Sequence, residues 1–142
     1  ANAMIADTID YWQSWIRKCT YRGRWREDVQ RSALALKLMV FAETGAIVAA
    51  PTFGLPEHIG GALNWDYRYA WIRDAAFTVY AFIRIGLVEE ARSFMQWVER
   101  ILRDAFERGD RSIRIMYSIH LPEQPEHGPA LDETVLEHFD GY

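Results

Sequence analysis

Cysteine occurs once in this chain, at Cys19, so no disulfide closes within it, and a reducing compartment is expected. No basic stretch followed by an apolar core opens the sequence, so no secretory leader is read there and the expected location is cytoplasmic. No apolar run approaches the ~18 residues of a membrane-spanning helix, so no membrane partner is expected. Positive charge is also thin. Sixteen Lys and Arg stand against 20 Asp and Glu, for a formal net charge of −4, and the basic residues form no patch. Nucleic acid is therefore excluded as an expected partner. Gly60-Gly61 has no Lys-Ser pair after it, so a phosphate loop is absent. HExxH and paired cysteines are missing too. Glu133, Glu137 and His138, with His120 and His127 near them, read as solvated charge and not as a ligand set. Neither a metal nor a cofactor is expected.

What the chain does have is apolar and aromatic mass. Half of its residues are hydrophobic and 14% are aromatic, which marks a globular chain of one domain. Residues 1–3, ahead of Met4, read as a tag remnant, and residues 4–142 as the domain. Ile5, Ile9, Trp12 and Ile16 recur at helical spacing, which predicts a helix over 5–18. Trp25, Val29, Ala33, Leu36 and Val40 predict a second, over 24–42. Between Gly45 and Gly61 a long loop is expected, with the short extended piece Ala46-Ile47-Val48-Ala49-Ala50 inside it. The third helix is expected from Asp74, as N-cap, to just before Gly86, as the stop. It is apolar nearly all round, so burial on most sides is expected. The fourth, over 88–108, carries Ala91, Phe94, Val98, Ile101 and Ala105 on one stripe and charge elsewhere. Ile113, Ile115, Tyr117 and Ile119 alternate as a strand does. A Pro-rich loop over 121–129 and a short helix over 131–139 complete the reading. The fold class is all-α, with long loops and a short β segment.

One stretch stands apart. Asn64-Trp65-Asp66-Tyr67-Arg68-Tyr69-Ala70-Trp71-Ile72-Arg73-Asp74 gathers two Trp, two Tyr, two Arg, two Asp and an Asn in eleven residues. Flat aromatic rings lie against the apolar C–H faces of a pyranose. Asp accepts from two neighbouring hydroxyls, and the Arg fork donates to their oxygens. The alternative is an aromatic-rich helix start with surface ion pairs, since Trp and Tyr also fill cores.

This run, continuing into Ala75-Ala76-Phe77-Thr78-Val79-Tyr80-Ala81, resembles the signature of glycoside hydrolase family 15, which includes glucoamylases, glucodextranases and some microbial trehalases. Further stretches resemble the family in the same order. They are Tyr21 to Glu27, Arg31 to Lys37, Thr44 to Thr52, Leu55-Pro56-Glu57, Gly86 with Glu89-Glu90-Ala91, and His138 to Tyr142. Phe53-Gly54 departs from a more polar pair, and Ala70 stands where Cys is common.

The resemblance implies an (α/α)6 toroid of helical hairpins, of which this chain would supply the first third. It implies inverting hydrolysis of an α-glucoside, with a carboxylic acid and a carboxylate base ~6.5–9.5 Å apart. Both roles fall to glutamates expected outside this sequence, so no catalytic residue is expected within it. Arg73 and Asp74 match the pair that grips a terminal glucose, and Tyr67 and Trp71 match aromatic residues lining that pocket. Trp65, Asp66, Arg68 and Tyr69 are read as structural, and Pro51-Thr52 to Glu57 as a rim. The expected partners are an α-glucoside and, for an open helical face, a second copy, in a symmetric dimer burying Phe77, Tyr80 and Phe82. A non-catalytic module that self-associates or binds glucose units is the alternative reading.

Overall fold

The computed structural model describes residues 2–52 and 65–120. Four helices carry the fold: α1 (Asn2–Ile16), α2 (Arg26–Leu38), α3 (Ile72–Arg84) and α4 (Val88–Glu107). Two short strands, β1 (Ala70–Trp71) and β2 (Met116–Tyr117), pair antiparallel, with Ala70 opposite Tyr117 and Trp71 opposite Met116. The class is all-α. α1 packs on α2 and α3 on α4, the successive hairpins of a partial α/α toroid. The loop expected at 121–129 and the helix at 131–139 lie outside the described residues.

The α3–α4 hairpin shows how its sequence dictates shape. Gly86 takes φ +83°, a left-handed conformation that glycine enters without cost. The Leu87 N–H then reaches back to the Phe82 carbonyl at 2.9 Å, closing the end of α3. A Cβ on Gly86 would lie 2.5 Å from Thr20 Cγ2, so the turn also needs the missing side chain. α4 buries Ala91, Phe94, Trp97, Ile101 and Ala105 along one face. Its other face is wet, with the ion pairs Glu89–Arg92 and Glu99–Arg103 at one-turn spacing.

Four expectations need correction. α3 is not buried on most sides. Ala75 and Phe82 enter the core, whereas Phe77, Tyr80 and Ile83 are 72%, 63% and 52% exposed. Among the described residues α4 covers only one side of it, and the other lines an open groove against α2 of about 450 Å³. In α1, Ile5 and Ile9 face solvent, and the buried residue is Trp15, off the expected stripe. α2 begins after Trp25, which is exposed under the Arg24 guanidinium, and ends before Val40, which bridges to Ile47. The strand expected from Ile113 is confined to Met116–Tyr117, and Ile113 and Ile115 are exposed.

The two hairpins meet at a buried carboxylate. Glu90 on α4 is 7% exposed. It accepts a hydrogen bond from the Trp15 indole N–H on α1 and pairs with Lys37 Nζ on α2 at 3.0 Å. The Lys37 ammonium also lies 5.7 Å from the centre of a Trp15 ring. Burial pushes the Glu90 carboxyl up. The Trp15 and Lys37 hydrogen bonds outweigh it and hold the carboxyl below its ordinary value.

Glu90→Ala would strand the Lys37 ammonium and the Trp15 N–H together. A loss of about 2–3 kcal/mol in unfolding free energy is expected from urea titration. Because the folded-state value is depressed, this cluster stabilises fully above the unfolded Glu value, about 4.3, and its contribution is lost as pH falls through the folded value. The acid limb of the wild-type stability curve should therefore shrink in the variant. Equal stability of the two proteins at neutral pH would contradict the assignment.

Candidate functional site

Residues 65–71 form a ribbon, turned at Tyr67-Arg68 and extended only at β1, that is gripped from both sides. The Ala49 and Ala50 N–H groups donate to the Tyr69 and Tyr67 carbonyls at 3.1 and 2.8 Å. On the far side β1 pairs with β2, and the Ile72 N–H reaches the Ile115 carbonyl at 3.1 Å. The run Ala46 to Ala50 behaves as the extended piece expected, with Ala46 and Ile47 fully buried beneath it. Ala70 and Trp71 both turn into the core, while Tyr67 and Tyr69 are half-buried and Arg68 is exposed.

At the start of the ribbon Asp66 is 3% exposed. Its carboxylate accepts the Arg68 backbone N–H at 2.9 Å and the Arg68 fork at 2.7 Å. Its own carbonyl accepts the Trp71 indole N–H at 2.9 Å. Burial raises the Asp66 carboxyl, but the Arg68 bonds win and hold it below its ordinary value. Burial, then the nearby Asp66 charge, pushes the Tyr69 phenol up.

Trp71 joins the ribbon to α3 and carries the aromatic cluster. Its ring centre lies 5.8 Å from that of Tyr67, tilted by 36°, and 5.9 Å from Trp65, edge to face. Trp71 itself is buried and Tyr67 half-buried, so Tyr67 offers more ring to a ligand and Trp71 backs it. The Arg73 guanidinium stands 6.0 Å from a Trp71 ring centre. It donates to the Asp74 carboxylate at 3.1 Å, and the pair is open to solvent.

All four residues singled out for sugar contact, Tyr67, Trp71, Arg73 and Asp74, thus gather where the ribbon enters the first turn of α3. Asp74 is not the N-cap. That position belongs to Trp71, which makes no side-chain capping bond, because the strand runs directly into the helix. Asp74 lies three residues further on, inside the first turn, where the positive end of the helix dipole favours its charge. Its carboxylate is consequently left to Arg73 and to solvent. Of the expected rim, Pro51 and Thr52 are exposed, while 53–57 lie outside the described residues, as does Asn64.

Sequence reasoning foresaw extended pieces at Ala46–Ala50 and around Tyr117 but missed that they frame the site, because which backbones pair leaves no trace in side-chain patterns. The Asp66–Arg68 turn had a signal, since Asp often bonds the backbone two residues on. Among the described residues no group of three or more His, Cys, Asp and Glu side chains is placed to hold a metal ion. No described helix is long and apolar enough to cross a membrane.

The family described as "Glycosyl hydrolases family 15" matches this chain over residues 23–134. A trehalase of Thermoplasma acidophilum is 47% identical over 115 residues, which cover 81% of this chain and 19% of that protein. The trehalase of Thermoplasma volcanium is 40% identical over 139 residues, or 97% of this chain and 20% of its own length. A trehalase of Mycobacterium tuberculosis is 36% identical over 136 residues, 95% of this chain and 19% of the relative. The chain spans about a fifth of the length of these curated relatives. No solved structure gives a significant match.

Proposed function

This chain belongs to glycosyl hydrolase family 15, and on that premise we propose that it is the glucose-holding part of a trehalase-like hydrolase. The observation that carries the reading is the Arg73–Asp74 pair, open to solvent at the start of α3 beside the Tyr67–Trp71 rings. Tyr67 offers a ring edge and face to the sugar, backed by Trp71. Arg73 and Asp74 present a donor fork and a double acceptor to adjacent hydroxyls. The substrate is an α-linked glucose unit, with trehalose first among the candidates because the relatives are trehalases.

The chemistry of inversion requires one protonated and one ionised carboxyl flanking the scissile bond. Neither carboxylate beside the rings suits either role. Asp66 is neutralised and enclosed by Arg68, and Asp74 is engaged with Arg73. Both serve binding and framing. The resemblance to the family assigns the acid and base to other glutamates, so on this reading the 142-residue chain holds sugar without turning it over.

Two measurements test this. Titration of the chain with trehalose and glucose, followed by calorimetry or ligand-observed NMR, should give weak binding. Arg73→Ala and Asp74→Ala should each weaken it at least about tenfold, the cost of a lost charged hydrogen bond. The same protein should release no glucose from trehalose. Binding untouched by both variants would return the pair to a structural role. Turnover that vanishes in Asp74→Asn would place catalysis within these residues.

A second reading has its own observation. Phe77, Tyr80 and Ile83 form an exposed apolar face on α3, beside the groove lined by Val29, Leu36 and Ile85. Asp28 and Arg84 line the same groove, one charge of each sign. Phe82, expected in such a contact, is fully buried in the chain's own core and takes no part. The occupant of this face is a second copy of the chain. Light scattering coupled to size exclusion should report a dimer at micromolar concentration, and Tyr80→Glu should return it to monomer. A monomeric wild type would remove this reading.

A further inference from the structure

Asp66 does two things with one residue. Its carboxylate is fastened to Arg68, with the backbone N–H and Nε on Oδ1 at 2.9 and 3.0 Å and a terminal guanidinium nitrogen on Oδ2 at 2.7 Å. Its main-chain carbonyl receives the indole N–H of Trp71 at 2.9 Å. The first set fixes the turn over 66–68, and the turn aims the carbonyl. A neutral carbonyl held this way fixes one ring nitrogen and, through it, the plane of the whole indole. Trp71 in turn supports Tyr67 and stands under the Arg73 guanidinium. A fully enclosed carboxylate with a half-exposed guanidinium is poor value for stability alone, since such pairs replace good solvation on both sides.

We propose that Asp66 and Arg68 are positioning residues that set the Trp71 indole, and through it the Tyr67 face, for the sugar. The inference rests on the reading of Tyr67, Trp71, Arg73 and Asp74 as a glucose site. Arg68 carries it further than Asp66 does in practice, because its side chain is 53% exposed and its removal leaves no buried cavity.

The test follows the indole directly. In a 15N-labelled chain the Trp71 indole resonance, assigned by its loss in Trp71→Phe, reports the bond to the Asp66 carbonyl. Arg68→Ala should shift that resonance towards the free-indole position and speed its exchange with solvent, with the melting curve still cooperative. Arg68→Lys keeps the charge and an ammonium donor but loses the fork, and should restore part of the shift. Trehalose affinity should fall about tenfold in Arg68→Ala, although Arg68 is not assigned to touch sugar. An unmoved indole resonance in Arg68→Ala and in Asp66→Asn overturns the positioning role. Absence of trehalose binding by the wild type overturns the glucose-site reading instead, while the indole shift still reports on the turn. The two failures are therefore separate.

Discussion

The junction between the two described hairpins is organised around one buried acceptor. Glu90 on α4 holds Trp15 of α1 and Lys37 of α2 at once. Helices of 13 to 20 residues gain little from propensity alone, so their stability comes from packing. α3 and α4 secure this through a tight turn. α1 has only the end of one face buried, and α2 only Ala33. A charge enclosed at the junction makes the arrangement selective. A packing of the hairpins that left Glu90 without Trp15 and Lys37 would hide an unpaired carboxylate, which is more costly than losing an apolar contact.

The site uses the opposite strategy. Its chemistry-bearing side chains lie at the surface, and its framing is main chain. Ala49, Ala50, Met116 and Tyr117 act on the ribbon through their backbone groups, and so fix where Tyr67, Tyr69 and Trp71 stand. The ribbon then becomes α3 without an intervening loop. A two-residue strand running into a helix removes the slack that a linker would bring, so Arg73 and Asp74 inherit their position from the sheet. Placing the recognition groups in the first turn of a helix seated on the core is a way to hold them still with few contacts of their own.

Much of this was legible in the residues. Helix existence followed from period, and the α3–α4 turn from Gly86, whose positive φ confirms a stop that chemistry alone suggested. α4 was legible on both faces, because its charges alternate with a wide apolar stripe. Errors fell where periodicity had no tertiary partner to serve. The apolar girth of α3 predicts burial, but burial needs a second surface, and among the described residues only one flank has it. Ile5 and Ile9 fail for the same reason. Asp74 was misread as a cap because capping is a local rule, and here a strand from a distant pairing claims the preceding residues. The run 64–74 stood out by composition, and the resemblance to the family picked Tyr67, Trp71, Arg73 and Asp74 from it. Asp66 was passed over because its effect runs through a backbone carbonyl, which every residue owns.

The ribbon's grip has a consequence for the order in which the chain acquires form. α3 and α4 are neighbours in sequence and close on each other early, as local contacts do. The ribbon's partners come from about twenty residues before it and about forty-five after it, so its ends cannot be held until two larger loops have closed. The Thr44 hydroxyl, bonded to the Ile119 carbonyl at 2.7 Å, ties those same two flanking segments together across 75 positions. The groups that would recognise a ligand are thus assembled among the last contacts to form. A ligand bridging Tyr67 and Asp74 would act as a late fastening, giving its binding energy to contacts that close the two long loops.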